Sequence, residues 1–462
     1  MNRKLGVLVM AAGKGTRMKS AKPKVMQEIL DQKIIDCVIH TVAKSQITDP
    51  ENVAVLVGSG GEQVAEYLSK SYDSRIQILW QREQLGTGHA VKSAQDWWRN
   101  FDDLIVLNGD LPLIKPESLR EFFVRSHGND CTVITFVAED PAAYGRIVRK
   151  NNSVNIVEFK EASDSEKQIH EVNGGCYAFR VKALEQVIDL IDNHNAKGEY
   201  YITDALALMN QKGFVTGAFV MSEEEMKGVN DQFELSQASR ILQQRILRHW
   251  LDEGVHIMDT SSVFISPYAE LESDVTIMPN VQIWGKSRIE SGAIIGSGSI
   301  LRNALIGSNV NLIAYAVIEN SELKDSSKAG PFVYIRDNTC LEKKAFAGKF
   351  VEIKNSRIGE NSKVPHLSYM GDATLGHDVN IGAGSITCNY DGVHKNKTFI
   401  GDNCFVGSDT MFVAPAKMCD NSATAAGSVI TLEIPEDSLA VARARQQNIS
   451  GWTARKKMIS KS

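Results

Sequence analysis

The chain's 462 residues exceed what one hydrophobic core holds, so more than one domain is expected. Its 43% hydrophobic and 23% charged residues are those of an ordinary globular protein, and a net charge of −5 argues against a nonspecific nucleic-acid or membrane-surface binder. Seven cysteines without C-x-x-C spacing fit reduced thiols in a cytoplasmic protein, and no stretch nears the ~20 apolar residues of a membrane span, so neither a spanning helix nor a signal peptide is expected.

The first predicted element is a buried strand, Leu8–Ala12, broken by Gly13 and Gly15. A glycine-rich turn at a strand end lets backbone N–H groups approach phosphates, and Lys14, Arg17 and Lys24 set cations beside it. The spacing fits neither the Walker A loop nor the dinucleotide fingerprint. Further on, Val53–Gly58, Ile76–Trp80, Leu104–Leu107 and Cys131–Val137 read as strands, and Ile34–Lys44, Glu62–Ser69 and Thr87–Trp98 as helices. This alternation predicts a Rossmann-like α/β domain over 1–232, a mostly parallel sheet with helices on both faces and ligands at the strands' carboxyl ends. Asp110 follows the strand Leu104–Leu107 as a hard oxygen ligand suited to Mg²⁺. His89 reads as a helix-start residue rather than a catalyst.

Leu235, Ala238, Leu242 and Ile246 keep helical spacing, which predicts one amphipathic linker helix over 233–254, stopped by Gly254. From Ile265 the period becomes six, with aliphatic residues at 265, 271, 277, 283, 289 and 295 and later copies at Ile306, Ile358, Leu375, Ile381 and Ile400. That is the mark of a hexapeptide parallel β-helix, expected to fill 255–462 together with a C-terminal tail. Steps of five at Leu301–Ile306 and Ile318–Leu323 read as shortened coils, and Asn389–Thr398 as an arm interrupting them. Within this array His366 lies outside the repeat register after Pro365, a candidate general base that Glu352 is expected to orient. Arg336, Lys354 and Lys395 suit a sugar phosphate.

The string Leu8-Val-Met-Ala-Ala-Gly-Lys-Gly-Thr-Arg-Met18 with Pro23-Lys24 resembles the signature of sugar-phosphate nucleotidylyltransferases, with Met10 where that family usually has Leu. Further motifs are Gln84-Leu-Gly-Thr-Gly-His-Ala90, Asn108-Gly-Asp-Leu-Pro-Leu113, Tyr144-Gly-Arg146, Gly228-Val-Asn230, Phe350-Val-Glu-Ile-Lys354 and His366-Leu-Ser-Tyr-Met-Gly-Asp372. With the hexapeptide array, which the resemblance implies to be left-handed, they make the whole chain similar to the bacterial family of bifunctional N-acetylglucosamine-1-phosphate uridylyltransferases/glucosamine-1-phosphate N-acetyltransferases. Two local departures are Asp31-Gln-Lys in place of Gly-Lys-Pro, and Gly-Gly after Asn173 in place of Thr-Gly.

The resemblance implies that Asp110 and Asn230 hold Mg²⁺ and that Arg17 and Lys24 serve the polyphosphate of UTP. Met10, Ala11, Ala12, Gly13, Gln81, Gly86 and Thr87 would read uracil and ribose, beside Asn108 and Gly109. Gly145, Glu158 and Asn173 would face the sugar and its N-acetyl group. In the second half His366 would be the base, with Arg336, Lys354, Tyr369, Asn380 and Lys395 binding glucosamine-1-phosphate. Ala383, Asn389, Tyr390, Ser408, Ala426 and Arg443 match the acetyl-CoA positions. The family also implies a homotrimer in which Lys395 on its arm completes a neighbouring chain's site. The alternatives are a nucleotidylyltransferase whose β-helix is only regulatory or oligomerising, and a non-enzymatic scaffold.

Overall fold

The computed structural model describes residues 3–13, 15–58, 60–150, 153–195 and 198–459; Lys14 lies outside them. The chain divides into two compact units, Met1–Leu242 and Gln243–Ser462.

In the first unit the apolar run near the N-terminus forms β1 (Leu5–Ala11), followed by β2 (Val53–Val57), β3 (Gln77–Trp80), β4 (Asp103–Asn108), β5 (Cys131–Val137), β6 (Arg146–Lys150), β7 (Ser153–Val157), β8 (Glu171–Arg180) and β9 (Thr216–Val220). They make one sheet in the order β9-β5-β8-β4-β1-β2-β3, with β6 paired to β8 and to β7. Strands β1, β2, β3 and β4 pair in parallel, as do β9 and β5, but β8 runs antiparallel to both β4 and β5. The expected mostly parallel sheet is therefore a mixed one. Side chains of β1 alternate between faces, as a pleated strand requires. Val7 and Val9 pack with the helices α1 (Ile34–Ser45), α2 (Glu62–Ser71) and α5 (Pro116–Ser126), while Leu8 packs with α3 (Thr87–Ser93), α4 (Gln95–Trp98) and α6 (Thr203–Gln211). One helix was expected over Thr87–Trp98. It breaks at Ala94, whose φ of −97° and ψ of 10° leave the helical region.

A long helix, α7 (Gln232–Asp252), crosses the division of the chain, and Gly254 ends it at φ +88°. Leu235 and Ala238 belong to a cluster with Met18, Ile34 and Val229, whereas Leu247 belongs to the core of the second unit.

The second unit is a parallel β-helix. Its strands stack into three sheets of eleven, ten and nine, and each coil gives one strand to each sheet in turn. The aliphatic residue of every six points inward and meets its counterpart one coil on, as in Ile283↔Leu301, Leu301↔Ile318 and Ile318↔Ile335. Single coils bury too little to stand alone, so these stacked corners are the unit's core. The shortened steps at Leu301–Ile306 and Ile318–Leu323 fall at one corner of the coil, and Ile353–Ile358 and Met370–Leu375 shorten the same corner. All seven cysteines are free, and no helix among the described residues is long and apolar enough to cross a membrane.

Candidate functional site

The carboxyl ends of β1 and β4 bring the glycine-rich turn and Asp110 together. Gly15 sits at φ +59°, and a Cβ there would lie 2.7 Å from the Lys24 Cβ, so the turn requires glycine on two counts. The turn thus carries Lys24 to Asp110, where its ammonium donates to the carboxylate and, at 3.2 Å, to the Asn230 side-chain oxygen. Asn230 reaches this point because the Val229 N–H donates to the Asp110 carbonyl at 2.9 Å. Lys24, expected at the polyphosphate, and the two expected metal ligands are one constellation. Gly109 approaches β1 closely, its N–H donating to the Met10 carbonyl at 2.9 Å.

A cavity of about 540 Å³ opens over this constellation. Of the residues expected at the nucleotide, Met10 to Gly13, Lys24, Gln81, Gly86, Thr87, Asn108 and Asp110 line it. The segment before α6 closes one side: Tyr200 pairs with Leu85 and Gly88, and a Cβ on Gly86, at φ +115°, would lie 2.4 Å from the Tyr200 carbonyl oxygen. The Ile202 N–H donates to the Thr87 hydroxyl at 3.1 Å. Sequence reasoning assigned no role to Gln84, Glu199 and Tyr201, which also line the cavity. Gln84 donates to the Ala12 carbonyl and so fixes the glycine-rich turn; its place at the head of the Gln84–Ala90 motif was the available signal.

Gly145, Glu158 and Asn173 gather apart from that lining. A Cβ on Gly145 would lie 3.6 Å from a Glu158 carboxylate oxygen and 3.7 Å from the Asn173 Cβ, and the Asn173 N–H donates to the Gly145 carbonyl at 2.9 Å. Arg146 shapes this loop from beneath. Its buried guanidinium donates to the carbonyls of Pro141, Ala142, Tyr144 and Lys167. Nearby, burial and the carboxylates of Glu234, Glu223 and Asp110 push the Tyr144 phenol up, and the charge of exposed Arg17 opposes them.

In the second unit Arg336, Lys354 and Tyr369 occupy strands of one sheet on successive coils, in the registers Arg336↔Lys354 and Glu352↔Tyr369. One expectation is corrected here. Glu352 does not go to His366: its carboxylate accepts from the Arg336 Nε at 3.0 Å and Nη2 at 2.8 Å, since a guanidinium one coil away is a stronger partner than an imidazole on another sheet. The arm expected to carry Lys395 to a neighbouring chain also makes contacts within its own. Tyr390 and Lys395 bridge antiparallel, and Asn389 donates to Asp372. The neighbouring Lys395 ammonium, with burial and the charge of Arg336, holds Lys354 below the usual lysine range, because ammonium groups side by side repel.

His366 ends the strand Lys363–His366 with its side chain exposed, on the sheet that also carries Asn380. Ala383, Ser408 and Ala426 follow one another up a single corner: the Asp409 N–H donates to the Ala383 carbonyl, the Gly427 N–H to that of Ser408, and Arg443 to that of Ala426 at 2.6 Å.

Residues 6–257 match the family model described as nucleotidyl transferase. Over its length the chain is similar to the bifunctional protein GlmU of Thermodesulfovibrio yellowstonii, 42% identical over 458 residues that cover 98% of this chain and all of the relative. The bifunctional protein GlmU of Clostridium beijerinckii is 41% identical over 454 residues, 97% of this chain and 98% of the relative. That of Streptomyces avermitilis is 40% identical, covering 98% and 95%.

Proposed function

We infer the chemistry from one premise: the chain belongs to the family of bifunctional GlmU proteins. It is an enzyme of UDP-N-acetylglucosamine synthesis with two transferase activities. Residues 255–462 acetylate glucosamine-1-phosphate with acetyl-CoA. Residues 1–232, joined to them by 233–254, then transfer uridylyl from UTP to the N-acetylglucosamine-1-phosphate formed, releasing pyrophosphate. One observation supports this reading: each unit has its own polar cluster, Lys24 with Asp110 and Asn230 in the first and the cations Arg336, Lys354 and Lys395 in the second. A β-helix that only held copies together would have no use for the second cluster.

Mg²⁺ fits the first cluster, because the Asp110 and Asn230 oxygens are hard donors that already converge on a cation, the Lys24 ammonium. Among the described residues no three or more His, Cys, Asp or Glu gather at one point, so phosphate and water oxygens would complete the shell. When bound, the ion neutralises charge on the triphosphate. Arg17 and Lys24 supply fixed positive charge to the phosphates, and the Met10–Gly13 backbone supplies donors. Gln81, Gly86 and Thr87 hold the uridine beside Asn108 and Gly109, while Gly145, Glu158 and Asn173 receive the sugar. No covalent intermediate with the protein is needed; positioning and electrostatics carry the transfer.

For acetyl transfer, the exposed His366 ring takes a proton from the sugar amine as the amine nitrogen attacks the thioester carbonyl; the C–S bond then breaks, and the coenzyme leaves as the thiol with that proton. Arg336, Lys354 and Lys395 hold the sugar phosphate, whose negative charge relieves the repulsion between the two lysines. Tyr369 and Asn380 face the sugar. Ala383, Asn389, Tyr390, Ser408, Ala426 and Arg443 hold the coenzyme. We read the working form as a cytoplasmic homotrimer. Tyr315, Phe332 and Phe350 support this, stacking with ring centres 5.1 and 5.4 Å apart while each stays at least half exposed. A continuous aromatic ladder on the surface of a solenoid fits a face covered by other copies.

The test supplies glucosamine-1-phosphate, acetyl-CoA, UTP and Mg²⁺ to the full chain, omitting one at a time. Asp110→Asn is expected to lower uridylylation by at least about 100-fold, the upper end for residues one shell further from a metal, while acetylation is spared. His366→Ala is expected to lower thiol release by ~10²–10⁴ and to spare uridylylation of supplied N-acetylglucosamine-1-phosphate. Comparable loss of both activities in either folded variant overturns the assignment. Sedimentation equilibrium is expected to give three times the chain mass; a monomer removes the homotrimer.

A further inference from the structure

Gln81 and His89 form a pair that the chemistry above leaves unexplained. Gln81 follows β3, its N–H donating to the Val57 carbonyl at 2.8 Å, and its side chain is buried at the wall of the nucleotide cavity. The amide nitrogen lies 3.2 Å from the Gly86 carbonyl oxygen and 3.2 Å from the His89 Nδ1. A peptide carbonyl can only accept, so the nitrogen, not the oxygen, of the Gln81 amide must face Gly86. Its second N–H then points to His89 Nδ1, which accepts only as the bare nitrogen of a neutral ring. With both N–H groups committed, the amide presents its oxygen to the cavity; that oxygen is not among the buried atoms left without a partner.

We propose that His89 is a positioning residue that sets nucleobase specificity, holding the Gln81 amide so that its carbonyl oxygen meets the base. An oxygen at that edge accepts from the imide N–H of uracil. It opposes the bare ring nitrogen that cytosine has in the same place, which would leave two acceptors face to face in a partly desolvated wall. Without the Nδ1 acceptor, one amide N–H loses its partner, and the amide is free to turn and offer a donor to the base. This proposal rests on the reading that places the uridine at Gln81.

The experiment measures kcat/KM with UTP and with CTP for the full chain and three variants. His89→Leu removes the acceptor; His89→Asn keeps an amide oxygen near the Nδ1 position; Gln81→Leu removes the reader. In His89→Leu the UTP-over-CTP ratio is expected to fall about 10- to 100-fold, the cost of one unsatisfied buried group. His89→Asn is expected to restore most of it, which a merely space-filling histidine would not allow. If His89→Leu folds and keeps the ratio within about twofold while Gln81→Leu loses it, the proposal alone is overturned. If Gln81→Leu also leaves UTP kinetics and the ratio unchanged, the base is not at Gln81, and the reading beneath the proposal falls with it.

Discussion

Asp204 shows how a single carboxylate records its surroundings. It sits in the first turn of α6, where burial, with the charges of Asp192, Glu161 and Glu158, pushes it up from 3.8 to about 6. The folded chain therefore keeps a proton that the unfolded chain releases between those values. Stability from this group is complete below about pH 4, is lost as pH rises towards 6, and stays lost above. Asp204→Asn removes the dependence, so scanning calorimetry is expected to give a higher Tm than the parent at pH 7.5 and a near-equal one at pH 4. An equal gain at both would mean the carboxylate's charge is not the cause. At this scale the sequence located chemistry well and partners poorly. Asp110, Lys24 and Asn230 were each legible from motif and strand end, but that Lys24 rests on the other two depends on positions 206 residues apart in the chain. Glu352 was assigned to His366 because spacing cannot say which of several cations a carboxylate meets; the register Arg336↔Lys354 decides it.

Among elements, β8 was the least legible. Gly174 and Gly175 break its apolar pattern, and the pairing with β5 slips between Asn173 and Tyr177, so no strand was anticipated there. Its direction is equally hidden, because a strand buried on both faces reads as the same apolar run either way. The hexapeptide corners lay at the other extreme, since one aliphatic residue per side is what closing a coil demands. The glycine departure after Asn173 has a local cause: a Cβ on Gly174 would lie 2.6 Å from the Met226 Cε and 2.8 Å from the Ile134 carbonyl oxygen. Gly174→Ala is expected to cost about 1–3 kcal/mol by overpacking. Adding Met226→Ala should recover only part, because the Ile134 backbone stays in place. The first unit's transition in scanning calorimetry reads both, and full recovery would show that Met226 alone sets the limit.

The whole molecule joins two kinds of order. In the first unit the site depends on residues far apart in sequence, as Lys24 and Asn230 are. The second repeats one pattern along an axis, each strand meeting only its counterparts one coil up and one coil down. A full coil is therefore a unit of translation, as a lattice spacing is in a crystal row. Leu271 and Ile289 are partners in register, so deleting residues 272–289 hands the chain from one to the equivalent place of the other. Calorimetry is expected to find such a chain folded, and thiol release to find acetyl transfer retained, since the coils from Arg336 to Arg443 keep their mutual register. Deleting only residues 272–274 puts Leu271 out of phase with Ile277 and is expected to lower the Tm of this unit, although it removes far less. Equal damage from the two deletions would mean that length, not phase, is what the coils conserve. Built this way, the chain tolerates the loss of a period better than the loss of a fraction of one.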